Sequence, residues 1–220
     1  MTGFVIGIDV QAARDCPFAV LDTRAAIVLE MGWIAAHELV QKVQELASRY
    51  GKAVFAIDAP RVPLPAPRVW YWRNNRGWNR GVGNEKGKGR HCEVVIKASN
   101  LANPQWTPLA EDAPEWMRHG FKLFEGLQGR AQALEVFPSA SYRMLNECGD
   151  VRVAMPLMGF LPGPKDMLDA VVAAVTGMEF LAGRGQEVGG GDGLGTIVLP
   201  RRVSSDITEV LNWPSSLSKH

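Results

Sequence analysis

"FVIGIDV" at residues 4–10 is a run of apolar residues that carries one aspartate, Asp9, near its end. "AVFAIDAP" at residues 53–60 repeats this arrangement with Asp58. Aspartate is unfavourable in strands, and a buried carboxylate without a partner is costly. It therefore needs an explanation that two apolar strands, far apart in sequence, each end in an aspartate. The order of the other elements provides one.

Short apolar runs and amphipathic stretches alternate along the chain. The first three strands are joined by short connections, which favours antiparallel pairing, whereas a strand entered from a helix is expected to run parallel to a neighbour. We expect strands at 4–10, 16–22, 25–34, 53–60, 133–140 and 196–200, and helices at 35–51, 113–130, 139–149 (with Ser139 as its cap) and 163–185. Up to the last long helix, the order is β-β-β-α-β-α-β-α.

This order is that of the RNase H fold, in which three antiparallel strands precede parallel strands and helices. We therefore expect an α/β protein with an RNase H-like fold, a mixed five-stranded sheet flanked by helices, and a long basic insertion. The expected organisation is one domain over residues 1–200, with the insertion at 61–113, followed by a C-terminal tail at 201–220. A length of 220 residues with 46% hydrophobic content is enough for one substantial core.

The composition also limits the cellular context. "MTGFVIGIDV" at residues 1–10 lacks the basic start of a secretory signal, and no apolar stretch is long enough to span a bilayer. The three cysteines have neither disulfide-framework nor zinc-ribbon spacing: Cys16, Cys92 and Cys148. We expect a reduced, cytoplasmic protein without a membrane segment, and the sequence indicates no particular oligomeric state.

Carboxylates of the first strand, a central strand and the last helix converge at one edge of an RNase H-like sheet. Here they are Asp9, Asp58 and, on the fifth strand, Glu135, while Asp166 and Asp169 are three residues apart and share a helix face. Mg²⁺ or Mn²⁺ prefers such oxygen ligands, and a pair of ions can activate water and stabilise the leaving oxygen of a phosphodiester. We therefore predict that Asp9, Asp58, Asp166 and Asp169 are metal ligands. The predicted catalytic residues are Asp9, Asp58, Glu135 and Asp169.

Each carboxylate also has a purely structural explanation. Asp9 can cap the following turn, and Asp58, before Ala-Pro, can form an Asx turn that ends the strand. Glu135 can be a solvated strand residue, and Asp166 and Asp169 can complement the helix dipole. The distances among the carboxyl groups decide between the two explanations.

Five motifs together resemble a family of uncharacterised proteins described as predicted RNase H-like nucleases. The motifs are "GIDV" (7–10), "AIDAP" (56–60), "RHCE" (90–93), "EVFPSASYRML" (135–145) and "KDMLDAVVAAVTG" (165–177). The resemblance covers about the first 200 residues, and it implies a metal-dependent nuclease with the RNase H fold. The tryptophan-rich basic segment at 70–90 lies outside the family's pattern.

The insertion carries an unusual charge. Residues 61–97 contain nine Arg and Lys against two Glu, a net of +7, so the rest of a chain of net charge +1 carries −6. Such asymmetry indicates an anionic partner, and we expect nucleic acid, either DNA or RNA. Cations that neutralise phosphates and rings that stack on bases are the components of single-strand binding. The predicted substrate-binding residues are Arg73, Arg76, Arg80, Arg90, Lys165, Trp72 and Trp78. The alternative is a surface loop whose tryptophans pack on the core while its arginines, like Lys165 at its helix start, are merely solvated.

Two further motifs are weaker. "RHCE" has no second Cys or His at zinc spacing, so Arg90 and Glu93 are expected to form an ion pair or to line the site. "GGGDGLG" at 189–195 lacks the Gly-Lys-Ser/Thr ending of a phosphate loop and is expected to be a turn.

The favoured function is a metal-dependent nuclease that hydrolyses phosphodiester bonds of nucleic acid. One alternative is a non-catalytic nucleic-acid-binding or scaffold protein with the same fold. A further alternative is an actin-like or sugar-kinase-like phosphotransferase, since those folds share this strand order and begin with a "GID" strand. They need a second copy of the domain and a Gly-rich adenosine loop, which a chain of 220 residues does not accommodate.

Overall fold

A computed structural model describes residues 3–73, 76–82, 87–155 and 164–214, with the backbone alone at 164 and 205–207. The described strands are β1 Phe4–Asp9, β2 Cys16–Asp22, β3 Ile27–Ile34, β4 Val54–Asp58, β5 Trp70–Arg73, β6 Gly77–Arg80, β7 Gln132–Glu135, β8 Gln186–Gly189 and β9 Thr196–Leu199. The described α-helices are α1 Leu39–Arg49, α2 His91–Ala98, α3 Glu115–Leu127, α4 Pro138–Cys148 and α5 Pro164–Leu181. None of these helices is both long and apolar enough to cross a membrane.

Five strands form the central sheet in the order β3-β2-β1-β4-β7. β2 is antiparallel to β1 and β3, whereas β4 is parallel to both β1 and β7. The predicted mixed five-stranded sheet flanked by helices is therefore confirmed.

The alternation of side chains along β1 determines where Asp9 lies. Ile6 and Ile8 belong to the core under α1 and α3, whereas Val5 belongs to the core under α5. Since successive side chains point to opposite faces, Gly7 and Asp9 share the α5 face with Val5. A Cβ at Gly7 would lie 1.9 Å from the carbonyl oxygen of Ala170, so α5 crosses β1 at backbone contact distance. This close crossing brings the beginning of α5 to the end of β1.

The insertion is more ordered than its sequence suggests. β5 and β6 form a hairpin, and His91–Ala98 form a helix, α2, where an irregular segment is expected from the sequence. Six of the eight residues of α2 are buried, so it lacks the amphipathic periodicity by which surface helices are recognised. The sequence predicts neither helix nor strand within the insertion, and this is wrong at β5, β6 and α2.

The C-terminal part also differs from expectation. "GGGDGLG" is the predicted turn, but it joins β9 to a strand, β8, that the sequence does not predict. The segment expected as a surface tail contains a short 3₁₀ helix, Ser205–Leu211, and buries Val210 against the core around α2. The tail's last residues, 215–220, lie outside the described part of the chain.

Helix α4 begins at Pro138 rather than at the predicted cap Ser139. The N-cap position is Phe137, and no side chain caps this helix by a hydrogen bond. Proline is favourable in the first turn because its missing N–H has no partner there in any helix. The preceding strand, β7, accordingly ends at Glu135.

Candidate metal centre

Three aspartates meet where β1 ends and α5 begins. Asp9, Asp166 and Asp169 each offer one carboxylate oxygen, and these oxygens all lie within 4.8 Å of one another. Asp166 and Asp169 are in the first turns of α5, and Asp9 is only 6% exposed. The structure thus brings together residues from the first strand and the last long helix.

Asp58, also predicted as a metal ligand, lies beside this group but is not one of its three members. Its Cα is paired with that of Asp9 in the parallel β1–β4 ladder, so its side chain also leaves the sheet on the α5 face. Burial raises the pKa of Asp58 well above its usual value, and the charges of Asp9, Asp169 and Glu135 raise it further. Asp58 is therefore electrostatically coupled to the three-aspartate group.

The pKa of Asp9 shows how unfavourable the crowding is. Burial raises the pKa of Asp9 to about 7, with further increases from Asp169 and Asp166. A hydrogen bond of 2.6 Å from Gln11 Nε2 to Asp9 Oδ2 and the charge of Lys165 oppose this increase without cancelling it. Negative charge at the end of β1 is therefore only partly compensated by the protein.

Two exposed cations are bound to the cluster. Lys165 Nζ lies 2.6 Å from Asp169 Oδ2, and Arg14 Nη1 lies 2.8 Å from Asp166 Oδ2. The sequence does not predict a role for Arg14, because nothing in the loop "QAARD" indicates that it faces a helix near the other end of the chain.

One oxygen of the cluster is left over. Asp169 Oδ1 is buried and makes no hydrogen bond of standard geometry with the residues that the structure describes. The Tyr142 hydroxyl lies close to the same carboxylate, and burial, then hydrogen bonding to Asp169, then the Asp169 charge raise the pKa of Tyr142. A buried carboxylate oxygen without a partner is unfavourable unless a cation binds it. All the atoms that could coordinate a metal here are carboxylate oxygens. The residues present therefore fit a hard divalent ion such as Mg²⁺ or Mn²⁺.

A cleft of about 450 Å³ opens beside the cluster. Asp9 and Asp58 line one part of it, and the side chains of Trp116 and Phe137 line another. Arg14 also lines the cleft, so a cation, carboxylates and aromatic rings face the same space.

Glu135 is held in a different arrangement. It is 2% exposed, and the buried guanidinium of Arg90 donates to both of its oxygens, over 2.8 Å from Nη1 to Oε2 and by a second bond from Nη2. The backbone N–H of Arg61 donates to Oε2 over 3.0 Å. Glu135 lines the cleft but is not in the three-aspartate group, and its catalytic role stays a prediction.

Arg90 is 1% exposed and also binds Glu93, with 2.9 Å between Nη2 and Oε1. Glu93 accepts a further hydrogen bond of 2.9 Å from the backbone N–H of Thr107. The predicted ion pair between Arg90 and Glu93 is therefore confirmed. The engaged guanidinium favours a structural role over the predicted contact with substrate.

The tryptophans of the insertion pack inward. The ring of Trp78 is 5.6 Å from that of Trp72 and 5.0 Å from that of Trp213, and Trp78 Nε1 donates to the carbonyl of Glu209. Both Trp72 and Trp78 pack against the core around α2. Of the two alternatives for these rings, this geometry favours packing over base stacking.

Unlike the tryptophans, the three arginines that are predicted to bind substrate from the hairpin are exposed to solvent. The side chains of Arg73, Arg76 and Arg80 are exposed on the hairpin that β5 and β6 form. Within the described ranges, none of the three forms an ion pair with a carboxylate. Their contact with nucleic acid stays a prediction that their exposure permits.

Comparison by sequence with known families and with characterised proteins finds no match. One solved structure is similar, the nuclease of the large terminase from a thermophilic phage, crystallised with bound zinc. It is 15% identical, with a TM-score of 0.29, and the match covers 79% of this chain and 80% of that one. A similarity of this degree carries no functional argument, so function is argued from the geometry of the site.

Proposed function

We propose that this protein is a metal-dependent nuclease with an RNase H-like fold. The observation that carries the proposal is the group of carboxylate oxygens from Asp9, Asp166 and Asp169 within 4.8 Å, with Asp58 adjoining it. A divalent ion would relieve the repulsion among carboxylates gathered in this way.

The topology supports the fold assignment. The order β3-β2-β1-β4-β7, in which β2 alone runs opposite to the other four strands, is that of the RNase H sheet. In that fold, as here, the last long helix crosses the first strand and places carboxylates at its end.

Asp9, Asp58, Asp166 and Asp169 would hold Mg²⁺ or Mn²⁺. When bound, such an ion polarises a phosphoryl oxygen and lowers the pKa of a water molecule. The protein itself positions the substrate, because the cleft beside the cluster offers Trp116 and Phe137 to a sugar or base. The exposed arginines of the β5–β6 hairpin provide charge for a polyanionic backbone.

The decisive experiment compares cleavage of labelled DNA and RNA by the wild type and by Asp9→Asn and Asp169→Asn, with Mg²⁺, Mn²⁺ or EDTA. We expect cleavage that needs the metal and falls by about 100-fold or more in both variants, as for removal of a group that stabilises transition-state charge. Asp112→Asn is the matched control, since Asp112 is an exposed aspartate on the loop before α3. Cleavage that persists in EDTA or in Asp9→Asn would contradict the proposal.

The same experiment tests the alternatives. Metal binding without cleavage of any nucleic acid would favour the non-catalytic module. That alternative is less well supported, because dispersed carboxylates are expected for it, whereas oxygens of Asp9, Asp166 and Asp169 lie within 4.8 Å of one another. The phosphotransferase alternative requires a second copy of the five-stranded sheet, and the described residues form one five-stranded sheet beside two two-stranded ones.

A further inference from the structure

Lys165 and Arg14 form ion pairs with the acidic cluster while remaining largely exposed to solvent. Each is bound to a single carboxylate, Lys165 to Asp169 and Arg14 to Asp166, while its side chain is 76% or 65% exposed. Ion pairs with so much solvent access contribute little to stability, so either cation can leave its carboxylate easily.

Charge balance indicates when they would leave. With all four aspartates ionised, four negative and two positive side chains give the cluster a net charge of −2. One divalent ion brings this net charge to zero, and a second makes it positive. Only when two ions are bound do the two side-chain cations exceed what the carboxylates require. An anion becomes their better partner at that point.

The surroundings keep both cations near the site after release. Lys165 Nζ lies 6.0 Å from the ring centroid of Tyr142, whose face can hold an ammonium group. Arg14 lines the cleft together with Asp9 and Asp58. Phosphates that approach the cluster through this cleft pass the guanidinium of Arg14.

We propose that Lys165 and Arg14 exchange partners, binding Asp169 and Asp166 before two divalent ions are bound and the phosphates of the nucleic acid afterwards. The inference rests on the proposed nuclease function and extends it. It explains how an acidic centre admits a polyanion, and it gives Arg14 a role in substrate binding.

The exchange predicts effects of opposite sign on two ligands. Lys165→Ala and Arg14→Ala should each bind Mn²⁺ about 2- to 5-fold more tightly than the wild type, because an exposed competing ion pair is gone. Calorimetric titration with Mn²⁺ alone measures this. Lys165→Arg, which keeps the charge, should match the wild type. Lys42→Ala, which breaks the exposed Lys42–Glu45 pair on α1, is the matched control and should leave Mn²⁺ affinity unchanged.

The second ligand is a phosphorothioate oligonucleotide, which resists cleavage, bound in saturating Mn²⁺ and followed by fluorescence anisotropy. Both alanine variants should bind it more weakly. The slope of log affinity against log salt should fall by about 0.7–0.9 for each phosphate that the variant no longer neutralises. Lys42→Ala should retain the wild-type affinity and slope.

The outcomes separate this inference from the proposed function. Equal or weaker Mn²⁺ binding by the alanine variants, or unchanged oligonucleotide binding, would overturn the exchange while metal-dependent cleavage by the wild type upheld the nuclease. A wild type that binds no Mn²⁺ would overturn both. Because both side chains are largely exposed, melting temperatures close to that of the wild type are expected and are checked first.

Discussion

Asp9 on β1 and Asp58 on β4 are paired Cα to Cα in a parallel ladder, so both carboxylates leave the sheet on the face that α5 covers. Like charges directly opposite each other on a sheet destabilise it. Here α5 adds Asp166 and Asp169 rather than a full set of counter-charges. The end of β1 therefore gathers acidic side chains whose mutual repulsion the described residues only partly relieve.

Asp9→Asn tests directly whether this crowding of carboxylates destabilises the folded protein. Without metal at pH 8, we expect the variant to be more stable than the wild type, because the amide removes a charge whose burial raises the pKa of Asp9 from 3.8 to about 7. The gain is at most about 4 kcal/mol, the free energy equivalent of the whole pKa difference. Urea unfolding of both proteins in EDTA measures it.

The same variant should lose stabilisation by metal. Mn²⁺ should raise the melting temperature of the wild type, since a ligand that binds only the folded state stabilises it. We expect no such rise for Asp9→Asn and a normal rise for Asp112→Asn. An unchanged rise in Asp9→Asn would place the ion elsewhere.

The pH dependence of stability follows from the same pKa values. For a carboxyl group whose pKa is higher in the folded state, the folded protein binds more protons than the unfolded chain between the two pKa values. The metal-free protein should therefore lose stability as the pH rises from about 4 to about 7, with Asp9 and Asp58 as the main causes. Urea unfolding at pH 5 and pH 8 in EDTA measures the loss, which Asp9→Asn should reduce. A wild type equally stable at both pH values would show that the carboxylates are not crowded in solution.

How much of the fold and of the candidate site can be predicted depends on whether a feature is determined by neighbouring residues in the sequence or by contacts between distant ones. The strand at 16–22 is predicted with its observed bounds, because a short apolar run between tight turns leaves few other structures. Asp9 and Asp169 are both candidates from the sequence, since strand order and helix position alone bring their elements together. Two ion pairs depend instead on contacts between distant segments, which no sequence periodicity reveals. They are Arg14 with Asp166 and Arg90 with Glu135.

Glu135 shows the resulting ambiguity most clearly. At the end of a strand beside the acidic edge, the sequence makes it a catalytic candidate, while the structure gives both of its oxygens to Arg90. We expect Glu135→Ala to lower the free energy of unfolding by about 3–5 kcal/mol, because it leaves part of a buried charge uncompensated. Denaturant unfolding measures this.

Glu135→Gln distinguishes structure from catalysis, since it keeps the shape of the side chain. If the role is structural, stability and cleavage rate should fall together. A variant of wild-type stability that cleaves about 100-fold more slowly would instead establish the predicted catalytic role.

Trp78 should behave as a packing residue. Its ring contacts those of Trp72, Trp213 and His91, so Trp78→Ala should cost about 2–4 kcal/mol of stability, somewhat less than a fully buried tryptophan. Trp78→Phe should cost less, because it keeps an aromatic ring among the others. Melting and oligonucleotide binding are measured on the same samples. A loss of affinity of about 1–3 kcal/mol at unchanged stability would show that the ring stacks on bases after all.

The hairpin arginines should hold the backbone of the nucleic acid. Arg73, Arg76 and Arg80 are exposed on a hairpin whose tryptophans hold it against the core, so their charges are presented from a fixed base. Replacing all three by Ala should weaken nucleic-acid binding. For each phosphate that is no longer neutralised, the slope of log affinity against log salt should fall by about 0.7–0.9.

The control for this triple variant removes the same charge elsewhere. Arg24, Arg118 and Arg130 are exposed arginines outside the insertion, and their triple alanine variant changes the net charge equally. If a general positive charge attracted the nucleic acid, both triple variants would lose affinity alike. If the hairpin is the binding surface, only the first should lose affinity and salt slope, and both should melt at nearly the wild-type temperature. Equal losses in the two variants, or no loss in the first, would rule out the hairpin as the surface that holds the substrate backbone.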